Sequence, residues 1–179
     1  HELVAIVTQP DKPAGRKRQL KPTPVGQWAE ARGIETIKTD DCNDPAILER
    51  VRALEPEVGI VIAFGQKLGP DLVAALGKLA MNLHGSLLPK YRGAAPINWA
   101  VMEGEPETGV TVIELAQRMD AGRMLAQAKL QIDPLETAGE VHDRLASLGP
   151  EAIAMVLTDL QAGTLHSIDQ LDTKASRAP

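Results

Sequence analysis

Apolar runs alternate with amphipathic stretches along most of the 179 residues of the chain. Short apolar runs bounded by turn residues are typical of buried strands, and apolar positions spaced three and four residues apart predict helices. Strands are therefore predicted at residues 3–8, 34–37, 58–63 and 79–84. Helices are predicted at residues 25–32, 45–54, 71–76 and 94–102. Asp44 is the expected N-cap of the second helix, and Pro45 occupies its favoured first position.

The pattern changes in the second half of the chain. Residues 109–115 and 124–132 are strand-like with no helical span between them, so we expect them to pair antiparallel. A helical region follows at residues 138–162, where Gly149 and Pro150 predict a break and a second helix that starts at Pro150. Overall, strand–helix alternation predicts an α/β protein with an open, mostly parallel, doubly wound (Rossmann-like) sheet and helices on both faces. Ligands of such sheets bind at the carboxyl ends of the strands.

Composition agrees with that fold and narrows the class of protein. Aromatic residues make up 2% of the chain, so aliphatic side chains must close the core. The single cysteine, Cys42, cannot form an internal disulfide, which favours a reducing compartment. No apolar run approaches the roughly 20 residues that span a bilayer. A cytoplasmic location is expected, with no membrane partner and as a monomer. No Cys or His spacing offers a metal site, and no Gly-rich phosphate loop is present.

The charge of the chain is unevenly distributed. Its net charge of −5 argues against a nucleic-acid partner. However, the Pro- and Lys-rich loop predicted at residues 10–24 holds five cations opposed only by Asp11, namely Lys12, Arg16, Lys17, Arg18 and Lys21. One local basic surface on an acidic body is expected where that surface meets a polyanion. A solvated, flexible loop is the alternative, and charge alone does not decide between them.

Asn82 and His84 are the first candidates for chemistry. They are two residues apart at the end of a predicted strand, so their side chains leave the same face of the sheet just before Gly85. A polar pair in an interior strand is costly unless it is partnered or functional. An amide donor beside an imidazole suits stabilisation of an oxyanion and proton transfer from an attacking amine. A hydrogen-bonded core histidine is the alternative for His84.

Asp120 lies in a turn between two predicted strands. An aspartate before Ala121-Gly122 is commonly a turn residue and nothing more. The functional alternative is a carboxylate that folds back to orient His84 and to favour the charged imidazole. Spacing alone leaves both open.

Five stretches of the chain, in order and spacing, resemble the catalytic domain of the folate-dependent formyltransferase family: residues 82–84, 86–89, 92–96, 107–110 and 120–122. The resemblance implies direct transfer of a formyl group from 10-formyltetrahydrofolate to a substrate amine, without metal. It implies that Asn82, His84 and Asp120 are catalytic. It further implies that folate contacts come from two stretches, Ser86, Leu87, Leu88 and Pro89 in one and Ala63, Phe64 and Gly65 in the other.

Residues 8–25 resemble the inserted basic loop of the methionyl-tRNA branch of this family. In that branch the loop wedges into the acceptor end of tRNA, which implies initiator methionyl-tRNA as partner and tRNA-binding roles for the five cations. Residues 116–123, where the tRNA enzymes commonly carry further acidic residues, together with residues 84–92 resemble the sugar-nucleotide branch slightly more. A non-catalytic folate-binding module is a third possibility.

The resemblance also predicts a domain organisation. Residues 1–165 are expected to form the formyltransferase catalytic domain, without the first strand–helix unit of the family. Residues 166–179 are expected to be a linker toward a C-terminal tRNA-binding barrel domain that this sequence does not contain, and residues 171–179 to have no partner element.

Overall fold

The computed structural model describes residues 1–14 and 18–179, and the chain divides into two compact units. Unit 1 comprises residues 1–59 and 63–80, and unit 2 comprises residues 60–62 and 81–179. Strands and helices alternate in both units, so the predicted α/β class is confirmed.

In unit 1, strands β1 (Ala5–Thr8) and β4 (Glu35–Lys38) pair in parallel. The helices of this unit are α1 (Pro24–Glu30), α2 (Pro45–Ala53) and α3 (Pro70–Ala75). Asp44 caps α2 as predicted, since its carboxylate accepts a hydrogen bond of 2.8 Å from the amide of Ala46. A buried apolar cluster closes the unit, formed by Ile37, Cys42, Val51 and Leu72.

Two short strands lie within the predicted loop at residues 10–24. Strand β2 (Lys12–Ala14) pairs antiparallel with β3 (Gln19–Lys21), and Lys12 lies opposite Lys21 in the register. Asp11 precedes this hairpin and forms an ion pair of 2.7 Å with Lys38. That carboxylate is therefore already matched by a cation of unit 1 outside the hairpin.

The main sheet has the strand order β5 (Val58–Val61), β6 (Leu79–His84), β8 (Glu107–Glu114), β9 (Met124–Gln131). β8 pairs antiparallel with both β6 and β9. The predicted antiparallel pairing of the two late strands is thus confirmed. Two short elements lie between β6 and β8, namely β7 (Arg92–Gly93) and α4 (Pro96–Met102).

The predicted break at Gly149 and Pro150 is wrong, because one helix, α5 (Ala138–Ala162), runs through both residues. Its buried stripe continues on either side of the proline, through Val141 and Leu145 before it and Ile153 and Val156 after it. This stripe packs against β8 and β9. Packing of a continuous apolar face outweighs the one backbone hydrogen bond that a proline removes. Within the described residues, no helix has the length and apolar character needed to cross a membrane.

The expectation that residues 171–179 lack a partner element is also wrong. A 3₁₀ turn (Asp172–Lys174) leads into β10 (Arg177–Ala178), which pairs in parallel with β7. Residues farther upstream join in, since Ile168 bridges to Met124 at the start of β9. The segment of residues 167–178, called the clasp below, is therefore an integral part of unit 2. The domain boundary at residue 165 stays a prediction.

Candidate active site

Asn82 and His84 lie at the carboxyl end of strand β6, opposite Ile113 and Thr111 of β8. Because they are two residues apart in an observed strand, both side chains leave one face of the sheet. Leu83, between them, points to the other face and contacts Gly149 of α5. His84 is 5% exposed, whereas Asn82 is half-buried.

Hydrogen bonding fixes the tautomer of the His84 ring. Its Nε2 lies 2.8 Å from the carbonyl oxygen of Tyr91. A carbonyl oxygen can only accept, so Nε2 carries a hydrogen and donates it. The other ring nitrogen, Nδ1, lies 3.7 Å from Oδ2 of Asp120. Nδ1 is therefore the ring nitrogen that is left for another partner, and it faces a carboxylate.

Asp120 occupies an unusual backbone conformation, with a φ of 52°. Left-handed backbone is uncommon for residues other than glycine and persists where surrounding contacts hold it. Here the amide of Gly93 donates to the Asp120 Oδ2 at 2.9 Å. Gly122 lets this turn approach β8 closely, since a Cβ there would lie 1.8 Å from the carbonyl oxygen of Glu114. The carboxylate is 13% exposed and is aimed at His84.

The Asn82 carboxamide makes no hydrogen bond to any of the residues described by the structure. The N–H groups of this half-buried carboxamide are therefore available to donate hydrogen bonds to a ligand. The structure therefore brings His84 and Asp120 into contact distance and sets Asn82 on the same strand face. Their catalytic roles stay predictions.

The predicted folate-binding stretch Ser86–Pro89 is held by its own side chains and by β8 and β9. Ser86 is fully buried, and its hydroxyl donates to the carbonyl of Lys90 at 2.7 Å. Thr111 donates to the Ser86 carbonyl at 2.6 Å and accepts from the Leu88 amide at 3.1 Å. Leu88 is 3% exposed, whereas Leu87 and Pro89 are half-buried. Side-chain contact with a ligand is thus open to Leu87 and Pro89.

The other predicted folate-binding stretch, Ala63, Phe64 and Gly65, belongs to unit 1. Ala63 and Gly65 both have positive φ angles, of 45° and 79°. Phe64 packs against the apolar cluster of unit 1, and its carbonyl accepts from the Gln9 amide at 3.1 Å. The loop is therefore held by Gln9 and by the apolar cluster of its own unit.

Of the five predicted tRNA-binding cations, Arg16 and Lys17 lie outside the described residues. Lys12, Arg18 and Lys21 have exposed side chains on or beside the β2–β3 hairpin. Lys12 also donates to the side chain of Gln9. The hairpin consequently presents positive charge to solvent.

A cavity of about 230 Å³ lies beside the Ser86–Pro89 stretch. Its walls include Leu87 and an ion pair of 2.7 Å between Lys90 and Glu105. The Lys90 ammonium, and next the Tyr91 hydroxyl, lower the pKa of Glu105 by hydrogen bonding to its carboxylate. None of Asn82, His84 and Asp120 lines this cavity, whereas Leu87 of the predicted folate-binding stretch does.

The family model described as formyl transferase matches residues 1–157. The chain belongs to the formyl transferase family. The methionyl-tRNA formyltransferase of Moorella thermoacetica is 44% identical over 179 residues, which are 100% of this chain and 58% of that protein. The chain thus spans less than two thirds of the length of this relative.

Solved structures agree with the formyl transferase fold. Phosphoribosylglycinamide formyltransferase from Bacillus halodurans matches with a TM-score of 0.76 at 20% identity, over 90% of this chain and 81% of that chain. The formyltransferase PseJ from Anoxybacillus kamchatkensis, solved with UDP-4,6-dideoxy-4-formamido-L-AltNAc and tetrahydrofolate, matches with a TM-score of 0.68 at 23% identity. That match covers 97% of this chain and 84% of that one.

Several groups of this candidate site are not identified by the sequence pattern. The Tyr91 carbonyl holds the His84 ring, and Gln170 and Asp172 of the clasp contact the same loop through Arg92. Hydrogen bonds from Arg118, first, and from Arg92 lower the pKa of Asp172. Arg92 belongs to residues 92–96, which resemble the family, but the resemblance gives it no role. No residue pattern identifies a backbone carbonyl as a hydrogen-bond partner of histidine.

Proposed function

We propose that this chain is the catalytic part of an enzyme that transfers the formyl group of 10-formyltetrahydrofolate to the free amino group of initiator methionyl-tRNA. The observation that carries the proposal is the contact between His84 Nδ1 and Asp120 Oδ2 on the strand face that also bears Asn82. The 44% identity to a methionyl-tRNA formyltransferase over the whole chain supports the choice of acceptor. A cytoplasmic location is part of the same proposal, since the reaction serves translation initiation.

The chemistry follows from which side-chain atoms are already occupied. Because the Nε2–H of His84 donates a hydrogen bond to the Tyr91 carbonyl, Nδ1 is the ring nitrogen that can act on the substrate. Asn82 and the charged imidazole stabilise the negative charge that develops on the formyl oxygen as the amine attacks. Asp120 offsets the positive charge of the ring from 3.7 Å away.

The proposed transfer uses neither a metal nor a covalent enzyme intermediate. One bond forms between the methionyl nitrogen and the formyl carbon, and the bond between that carbon and folate N10 breaks. In our scheme the charged His84 ring gives its Nδ1 proton to N10 as the bond to N10 breaks, and the proton lost by the amine then returns to Nδ1. For the co-substrate itself, Leu87 and Pro89 would supply apolar contacts beside the backbone of their loop.

Single substitutions in the purified protein test the catalytic roles. Asn82→Ala and His84→Ala are each expected to lower kcat by about 100- to 1000-fold, the usual cost of losing a group that stabilises an oxyanion. Formylation of methionyl-tRNA and thermal unfolding are measured together. Both variants are expected to be folded at the assay temperature, with a lower melting temperature for His84→Ala because the Tyr91 carbonyl loses its partner. Near-wild-type turnover in either variant contradicts the assignment.

A sugar-nucleotide N-formyltransferase is the second candidate, with the same chemistry on another amine. Residues 116–123 and the match to a sugar-nucleotide enzyme in complex with tetrahydrofolate favour it. Initiator methionyl-tRNA and a 4-aminosugar nucleotide are compared as acceptors at equal concentration of 10-formyltetrahydrofolate. A higher kcat/KM with the sugar nucleotide than with the tRNA would support the sugar-nucleotide function instead. Binding of folate without formyl transfer to either acceptor would identify a non-catalytic module.

A further inference from the structure

Gln170 of the clasp makes four hydrogen bonds with one carboxamide. Its Nε2 donates to the carbonyl oxygens of Asp120 and Gly122, each at 2.8 Å. Its Oε1 accepts from Arg92 Nε at 2.9 Å and from Arg92 Nη2 at 2.7 Å. The carbonyls can only accept and the guanidinium can only donate, so the orientation of the amide is unambiguous.

These bonds hold the turn that carries Asp120. The left-handed φ of 52° at Asp120 is an unfavourable conformation for a residue other than glycine. Gln170 binds the carbonyl on the residue itself and the carbonyl two residues on, and thereby fixes both ends of the strained stretch. Only a carboxamide supplies two donors on one side and two acceptor lone pairs on the other.

The same amide connects that turn to the loop that holds His84. Arg92 is buried, and its neighbour Gly93 donates the backbone hydrogen bond that aims Asp120 Oδ2. Tyr91, the residue before Arg92, provides the carbonyl that accepts a hydrogen bond from His84 Nε2. A buried guanidinium needs a counter-ion, which Asp172 supplies at 2.9 Å.

We propose that Gln170 is a positioning residue of the active site, which sets the distance between Asp120 and His84 by joining the Asp120 turn to Arg92. The residue touches neither substrate nor His84 and acts through Asp120. This inference rests on the proposed function for its kinetic readout and on the structure alone for its spectroscopic one.

Gln170→Glu keeps the shape and the acceptor for Arg92 but loses both donors to the turn. In the purified protein we expect kcat for formyl transfer to fall by about 10- to 100-fold, since misplacement of a reacting group by about 1 Å costs that much. KM for both substrates is expected to stay within about threefold, because no binding contact is removed. Gln170→Met, which loses all four bonds in an uncharged side chain, is expected to behave alike.

Arg123→Ala is the matched control. Arg123 also contacts the clasp, through Asp169 at 3.2 Å and the Ser167 carbonyl at 3.2 Å, yet it makes no bond to Asp120. Its kcat is expected to stay near the wild-type value. In an Asp120→Asn background, Gln170→Glu is expected to lower kcat by less than about threefold further, because the path through the carboxylate is already lost.

The ring ¹⁵N resonances of His84, assigned by their loss in His84→Asn, provide a readout that needs no substrate. We expect them to shift in Gln170→Glu and Gln170→Met and to be unchanged in Arg123→Ala. Wild-type protein that transfers no formyl group would defeat the proposed function while this spectroscopic test still decides the role of Gln170. A lower melting temperature with unaltered His84 resonances and kcat, or fully additive loss with Asp120→Asn, overturns the inference.

Discussion

At the scale of residues, Thr111 connects β8 to the loop after β6. It is fully buried, and its one hydroxyl donates to the Ser86 carbonyl while it accepts from the Leu88 amide and from Gln127 Nε2. A buried hydroxyl with three partners holds the loop in one conformation. Thr111 therefore joins both ends of the Ser86–Leu88 stretch to β8 through one side chain.

Thr111→Val tests this connection. Valine has the same shape without the hydroxyl, so the Leu88 amide and the Ser86 carbonyl lose a partner inside the protein. The free energy of unfolding is expected to fall by about 1–3 kcal/mol, as measured by urea denaturation. Thr158→Val is the control, since Thr158 is exposed and bonds only within α5, and a change within about 0.5 kcal/mol is expected there. Equal effects in the two variants would contradict the role of Thr111.

Sequence reasoning at this scale reached Asn82 and His84 because a spacing of two residues before a glycine has a direct structural meaning in a strand. It did not join Asp120 to them without the family resemblance, because the contact depends on a left-handed turn and on the Gly93 amide. Gln170 was invisible for the same reason. Its partners in the Asp120 turn are backbone carbonyls 48 and 50 residues away, and carbonyls carry no residue-type signal.

At the scale of elements, α5 carries a proline that its packing tolerates. Pro150 is exposed, and it removes the amide that would donate to the carbonyl one turn earlier. Strand β6 was predicted at its observed bounds because an apolar run ended by Gly85 leaves little choice. The break in α5 was predicted wrongly because local propensity was weighed without the apolar stripe that continues past the proline.

Pro150→Ala is expected to stabilise the protein by about 1–3 kcal/mol, because it restores a helix-interior amide and removes the ring clash with the preceding turn. Urea denaturation measures the change. Pro45→Ala is the matched control, because Pro45 sits at the first position of α2, where the amide has no helical partner. A change within about 0.5 kcal/mol is expected for Pro45→Ala. Destabilisation by Pro150→Ala would show that the proline is required by the packing of α5.

At the scale of the whole molecule, a net charge of −5 opposes the approach of any polyanion, so a tRNA must be met by a local surface. The β2–β3 hairpin has the required character. Lys12 lies directly opposite Lys21, an arrangement of like charges that is unfavourable without an anion nearby. Asp11, the nearest carboxylate in sequence, is engaged by Lys38.

The double substitution Lys12→Ala and Lys21→Ala is expected to weaken binding of initiator methionyl-tRNA and to flatten its salt dependence. Each lost phosphate contact lowers the slope of log K against log salt concentration by about 0.7 to 0.9, so a decrease of roughly 1 to 2 is expected. Lys78→Ala with Lys129→Ala removes the same charge from exposed ion pairs with Glu57 and Glu107, and this control should leave the slope nearly unchanged. Fluorescence anisotropy with labelled tRNA between 50 and 200 mM salt, roughly the range over which such contacts are screened, gives both slopes. If the two double variants lower the slope equally, the net charge of the protein and not the hairpin determines tRNA binding. The reason is that a local phosphate contact would make the effect depend on which lysines are removed.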